Sequence, residues 1–289
     1  MSRAGLTIRV AVLALAFLVL GPPHWVAMRL LGRRSTVAPL LFHRTFLWLF
    51  SVRVTQSGTP PDSGEAALVL ANHVSWLDIV VIGSLRPLSF VAKSEIAGWP
   101  VISLLAALQR TIYIDRQRRG ATATVSATMG HRLAGGELVV LFAEGTTGDG
   151  NRLLPFRSAL VGAARAALRG EAGRGRVRLQ PMAIGYPRRN GLPVVRSERS
   201  EIAWYGDMEL APHLAAFVNG GPIDVHVAWG QPIAFEATTD RKAATAAAEA
   251  EVRATLQGIA TGRGETMPAP GPRPASPGLD LGGPEIAAV

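Results

Sequence analysis

Residues 67–78 read Ala67-Leu68-Val69-Leu70-Ala71-Asn72-His73-Val74-Ser75-Trp76-Leu77-Asp78, and this stretch decides the fold. Five consecutive apolar residues are too few for a buried helix and the right length for a strand covered on both faces. A polar turn comes next, and the pattern from about 76 to 85 is helical. Strand, turn and helix in that order make the repeating unit of an α/β protein.

The same unit recurs on either side. Short β-rich runs appear at 52–55, 88–92, 111–114, 138–142, 177–184 and 223–229. Helical patterns lie at about 95–109, 119–134 and 156–169. The alternation predicts an α/β fold, with a mostly parallel central sheet flanked by helices and its chemistry beyond the strand C-terminal ends. This catalytic domain is expected to cover residues 51–235. Thr238-Thr239-Asp240 then signals a helix start, and an Ala-rich helix runs to about 260. Residues 261–289 are rich in Pro and Gly and are expected to be disordered.

Residues 1–50 have a different character. Arg3 and Arg9 precede the apolar run Val10 to Leu20, and Gly21-Pro22-Pro23 is expected to stop any helix there. A second apolar stretch runs from Trp25 to Leu31, and a third, Phe46 to Phe50, is aromatic-rich. The first run would make about 16 Å of helix, against a bilayer core of about 30 Å. An embedded hairpin, a true span and a signal peptide all fit, and a membrane-associated helical hairpin is the working expectation. Arginines flank the apolar runs, which fits a hairpin entered from the cytoplasm. The expected location is therefore the inner (cytoplasmic) membrane, with the catalytic domain facing the cytoplasm.

Composition agrees. With 48% hydrophobic and 18% charged residues, wholesale disorder is excluded. A mean hydropathy of +0.23 points toward membrane association. The absence of cysteine excludes disulfides, thiolate zinc sites, iron–sulfur clusters and a cysteine nucleophile. The net charge of +9 is almost entirely arginine, since Lys93 and Lys242 are the only lysines. Such a surface suits an anionic partner: a membrane, a nucleic acid or an acidic carrier protein. No nucleic-acid-binding module and no aromatic–basic interleaving appear, so nucleic acid is not expected.

Two strand ends carry the candidate chemistry. His73 and Asp78 are five residues apart and would not share a helix face. They can meet if His73 lies in the turn and Asp78 in the first helical turn, and Ser75-x-x-Asp78 matches a capping box. An Asp accepting from Nδ1 would leave Nε2 free as a general base. On spacing alone, the alternative that Asp78 only caps the helix remains open. After the run 138–142 comes Ala143-Glu144-Gly145-Thr146-Thr147-Gly148-Asp149-Gly150-Asn151-Arg152, a loop rich in backbone donors and hydroxyls. Alone, it also fits an ordinary strand-end turn.

Together the two motifs resemble the glycerolipid/lysophospholipid acyltransferase family: Asn-His-x4-Asp after one strand, Phe-x-Glu-Gly-Thr after a later one. Ile112-Tyr113-Ile114-Asp115-Arg116 and Gln180-Pro181-Met182-Ala183-Ile184 look like two further family blocks, in the right order. Phe90 to Pro100 also resembles the segment after the first motif in bacterial members. The resemblance implies direct acyl transfer from a thioester to a lipid hydroxyl, with His73 as base and Asp78 orienting it. It implies substrate-binding roles for Glu144, Gly145, Thr146, Thr147 and Arg116, while Asn72 shapes the turn. No metal and no cofactor are implied. The donor would be an acyl carrier protein or CoA thioester, the acidic carrier being preferred on charge.

Two departures from the family pattern matter. Members that acylate lysophosphatidic acid usually carry Arg where this chain has Thr147, and Pro where it has Ala143. A hydroxyl in place of a guanidinium removes a charge-assisted contact worth roughly 1.5–3 kcal/mol. The longer string through Phe156 resembles a bacterial subgroup that acylates lyso-ornithine lipid, whose headgroup has no phosphate. That acceptor is the leading expectation. Lysophosphatidic acid is the alternative, with Arg110 or Arg152 replacing the missing contact. A non-catalytic basic membrane- or nucleic-acid-binding protein and a lipid hydrolase are remote alternatives. His24, His43, His131, His213 and His226 show no ligand spacing and are expected to be structural or solvent-facing.

Overall fold

The computed structural model describes residues 3–31, 37–62, 64–115, 121–168 and 177–262. Two helices come first, α1 (Arg3–Leu31) and α2 (Val37–Leu49). The rest alternates: β1 (Val52–Ser57), β2 (Ala67–Ala71), α3 (Leu77–Gly83), β3 (Ser89–Lys93), α4 (Pro100–Leu108), β4 (Ile112–Ile114), α5 (Ala121–Ala134) and β5 (Leu138–Phe142). Then come α6 (Ala163–Ala167), β6 (Val177–Arg189), β7 (Leu192–Pro193), α7 (Arg199–Ile202), α8 (Leu210–Asn219), β8 (Ile223–Trp229), β9 (Ile233–Phe235) and α9 (Arg241–Thr261).

The sheet order is β1-β8-β6-β2-β5-β3-β4, with β7 and β9 also paired to β6. Strands β6, β2, β5, β3 and β4 run parallel, as the alternating pattern predicts. β8 is antiparallel to β6, and β1 pairs parallel with β8. β2 and β5 sit at the centre, and every residue of both is buried. Their side chains alternate between two cores. Ala67, Val69, Ala71, Val140 and Phe142 face a layer that includes α2 and α3. Leu68, Leu70, Val139 and Leu141 face the layer of α5, α6 and α9.

Three expectations are corrected. Helix α1 is continuous through Pro22 and Pro23. Gly21 has no Cβ to meet the ring of Pro22, which removes part of the clash at the first proline. The helix loses two hydrogen bonds and continues. Its 29 residues reach about 43 Å, and Ala4–Leu30 is long and apolar enough to cross a membrane, with little of it buried against the protein. The hairpin is formed by α1 packing on α2, not by a turn at Gly21.

The helix expected at 156–169 is reduced to Ala163–Ala167. The N–H groups of Leu154, Phe156 and Arg157 are taken by the Glu144 carboxylate, the Glu249 carboxylate and the Ala143 carbonyl. Those donors hold the segment down on the loop after β5, so helix can begin only beyond them. The third correction is local to β6, which continues five residues past Ile184 because β8 runs alongside it. In α9, Asp240 caps the N-terminus through Lys242 N at 2.7 Å, and the helix packs on β6. Residues 263–289, where disorder is expected, lie outside the described residues.

Candidate active site

The turn after β2 brings His73 and Asp78 together. His73 Nδ1 lies 2.8 Å from Asp78 Oδ2, which also accepts the backbone N–H of Val74 at 2.7 Å and of Ser75 at 2.9 Å. Only half of the expected capping box is therefore made. Asp78 reaches back to Ser75 N, but the Ser75 hydroxyl is buried without a partner among the described residues. Asp78 is completely buried. A buried carboxylate accepting these donors holds the ring with Nδ1 protonated, so Nε2 carries the lone pair. Nε2 makes no hydrogen bond to any described residue. The ring stacks on Phe142, with centroids 3.8 Å apart and planes 11° from parallel, which fixes its plane as well as its edge.

The second oxygen of Asp78 has a partner that the sequence did not reveal. Tyr186, on β6, donates its hydroxyl to Asp78 Oδ1. Burial, followed by the charge of Asp78, holds the Tyr186 phenol well above its ordinary range, so it remains a donor. The signal was the alternation Met182, Ile184, Tyr186, which puts all three on the β6 face above α3.

Glu144 ties the two motifs into one unit. Oε1 accepts the backbone N–H of His73 at 2.6 Å, and Oε2 accepts that of Leu154 at 2.7 Å. Gly148 N donates to His73 O at 2.8 Å, a second tie. Burial first, and the Asp78 and Glu249 charges after it, push the Glu144 carboxyl up to about 7, against the two backbone donors that lower it. In this arrangement Glu144 braces the turn that carries His73. Gly145 holds φ at +75°, the left-handed region that favours glycine, and lets the chain reverse directly after Glu144. Thr146 and Thr147 are half-buried, and neither hydroxyl has a partner among the described residues.

Asn72 clamps β2 to β6. Its Nδ2 donates to Ile184 O at 2.9 Å, and its Oδ1 accepts Ile184 N at 2.8 Å. This pair seats the Gln180–Ile184 block beside the first motif. The Ile112–Asp115 block does not join them, because β4 is three strands from β2, about 14 Å at ordinary strand spacing. Arg116 lies outside the described residues.

A cavity of about 310 Å³ opens at this end of the sheet, lined by His73, Glu144, Tyr186, Arg152 and Arg199 among others. A larger one, about 440 Å³, lies at the opposite ends of the strands, and none of the motif residues above lines it. Arg110 lines that second cavity and pairs with Glu137 at 3.3 Å, so it is not at the candidate site.

Four of the other histidines are held by hydrogen bonds within the fold, and His131 on α5 is exposed. His213 donates from Nε2 to Ala203 O and accepts Trp76 Nε1–H at Nδ1, and burial lowers its pKa. His226 bonds the hydroxyls of Thr55 and Ser57. His24 and His43 are turned inward against α4 and the residue after it, through Leu108 O and Gln109 Oε1. Among the described residues, no cluster of three or more metal-ligating side chains occurs.

Residues 51–185, which hold both motifs, match the acyltransferase family. The lyso-ornithine lipid O-acyltransferase of Brucella abortus is 43% identical over 261 residues, 89% of this chain and 97% of the relative. The chain belongs to the acyltransferase family. A second lyso-ornithine lipid O-acyltransferase, from Rhizobium meliloti, is 36% identical over 91% of this acyltransferase and 89% of its own length. A 1-acyl-sn-glycerol-3-phosphate acyltransferase of Neisseria gonorrhoeae is 39% identical, over 35% of this chain and 39% of its own. The crystal structure of the 1-acyl-sn-glycerophosphate acyltransferase PlsC from Thermotoga maritima shares the fold, with a TM-score of 0.59 at 17% identity over 88% of this chain and 97% of that one. The protein is thus an acyltransferase enzyme of α/β fold. Its exposed apolar helix α1, together with relatives that act on lipids, points to membrane association.

Proposed function

We propose that this acyltransferase moves a fatty acyl group from a thioester to the hydroxyl of lyso-ornithine lipid, with His73 as the general base. The observation that carries the mechanism is the free Nε2 of a histidine whose other nitrogen is held by a buried carboxylate at 2.8 Å. His73 Nε2 takes the proton from the acceptor hydroxyl as its oxygen attacks the thioester carbonyl carbon. Asp78 stabilises the resulting imidazolium. The tetrahedral intermediate collapses, the C–S bond breaks, and the imidazolium returns its proton to the departing sulfur. Protons and charges balance with no acyl-enzyme, and the chain offers neither a cysteine nor a Gly-x-Ser-x-Gly elbow for one.

The half-buried loop of Gly145, Thr146 and Thr147 contributes backbone donors and hydroxyls to acceptor binding. Arg116 contributes a cation toward an anionic headgroup or the phosphate of the donor's phosphopantetheine. Two things support the acceptor: the names of the long-matching relatives, and a hydroxyl, Thr147, where a phosphate-reading guanidinium would stand. Acyl carrier protein is the preferred donor, because an acidic carrier is attracted to a chain of net charge +9. The catalytic domain faces the cytoplasm at the inner membrane, where such carriers are found.

Acceptor competition tests the reading. The full chain in vesicles is given one acyl thioester with equal lyso-ornithine lipid and lysophosphatidic acid. Ornithine lipid is the predicted main product. Phosphatidic acid as the sole product would overturn the acceptor while leaving the acyl-transfer mechanism standing.

A further inference from the structure

The cavity beside His73 is basic on a wall that the mechanism does not use. Arg152, on the loop after β5, and Arg199, the first residue of α7, both line it. They approach through Gly150: a Cβ built there would sit 3.5 Å from Arg199 Cβ, two residues before Arg152. Neither guanidinium has a carboxylate partner among the described residues, whereas Arg253 on the same wall pairs with Glu249 at 2.7 Å. Asn151, directly before Arg152, also lines the cavity and holds a buried side-chain oxygen with no hydrogen-bond partner among the described residues. Two unpaired cations and one unpaired acceptor, in a cavity that also reaches a general base, form a polar half-site for a small zwitterion.

We infer that Arg152 and Arg199 bind the α-carboxylate of the acceptor headgroup, with Asn151 Oδ1 accepting from its ammonium group. This rests on the lyso-ornithine lipid reading above and names the residues that select for it. Guanidiniums suit a carboxylate because they offer paired N–H donors and stay charged at every working pH. An ammonium donor satisfies the orphaned Asn151 oxygen, which a phosphate dianion leaves unpaired. The two arginines would accept either anion, so Asn151 is what favours an amino-acid headgroup.

The test uses the full chain in vesicles, with Arg152→Gln and Arg199→Gln beside the wild type. Each is assayed on lyso-ornithine lipid and on its carboxyl methyl ester, with acyl thioester saturating. For lyso-ornithine lipid each substitution should raise the acceptor KM about tenfold or more, the loss of one charge-assisted contact, with kcat changed much less. Wild type should show the same rise on the methyl ester, and the variants should lose little further there. Equal losses on both acceptors, or a rise confined to the thioester KM, would overturn the assignment by placing the arginines in folding or donor binding. Unchanged kinetics on the free acid would overturn it too. Failure of wild type to acylate lyso-ornithine lipid at all would instead defeat the acceptor reading itself, and this inference with it. Melting temperatures of all three proteins separate misfolding from lost binding.

Discussion

Tyr186 donates its hydroxyl to the Asp78 oxygen that His73 does not use. The carboxylate is thus held from two sides: His73 and the turn backbone on Oδ2, the β6 tyrosine on Oδ1. The Asn72–Asp78 motif is positioned by the strand that carries the Gln180–Ile184 block, through Tyr186 and through the Asn72–Ile184 clamp. Tyr186 is a positioning residue, acting on the proposed base through Asp78.

Replacing Tyr186 by Phe removes the hydroxyl and leaves the ring. The lost bond to a buried carboxylate is worth roughly 1.5–3 kcal/mol, so kcat should fall about tenfold, with KM little changed. Steady-state kinetics beside melting temperatures check this. A lower melting temperature with kcat unchanged would reduce Tyr186 to a packing residue.

Asp78→Asn separates charge from structure. The amide oxygen can replace Oδ2 for His73 and the two backbone N–H groups, and its NH2 can donate to the Tyr186 oxygen. The fold is expected to survive, while the imidazolium loses its counter-charge. Turnover should drop by at least about a hundredfold, the lower range for general acid–base contributions. Near-normal turnover in a folded Asn variant would remove Asp78 from the mechanism.

Glu144 gives a pH dependence of stability with a definite sign. Its carboxyl is raised from 4.5 to about 7 in the folded state, so the folded protein binds the proton more tightly than the unfolded chain does. The contribution is therefore most favourable below the unfolded value and is lost as pH rises toward about 7. The full swing is on the order of 3 kcal/mol. Glu144→Gln cannot titrate, and its NH2 must face one of two N–H donors. Its melting temperature should lie below wild type at every pH, and the gap should be wider at pH 5 than at pH 8. A gap that widens with rising pH would contradict the assigned shift.

Much of this was legible in the sequence because the signals were local. β2, β5 and β8 fall on their β-rich runs to the residue, since a short run bounded by polar turns has few alternatives. The His73–Asp78 meeting was legible because it depends on one turn. What escaped depends on contacts across the chain. Tyr186 meets Asp78 from 108 residues away, and no spacing rule reaches that far. Glu144 was read as a substrate ligand, but its two oxygens take N–H groups from separate segments. The proline pair in α1 misled because the helix continues through both rings, with Gly21 relieving part of the clash at the first.

The absence of native cysteine makes the orientation easy to read. Ala254→Cys places a single thiol on the exposed face of α9. A membrane-impermeant maleimide should label it in inverted inner-membrane vesicles and not in intact right-side-out ones. Labelling only in the latter would place the catalytic domain on the other side, and labelling in both would contradict a single orientation.

The central claim is that His73 moves the acceptor proton in a direct transfer. Mass spectrometry of products from vesicle-reconstituted wild type and His73→Ala, each given acyl-carrier-protein thioester and lyso-ornithine lipid, tests it most directly. Ornithine lipid is expected from the wild type, with no product above background from a folded His73→Ala protein and no acyl group attached to either chain. Product from the variant at a rate near wild type, or an acylated wild-type chain that transfers its acyl group onward, would contradict it.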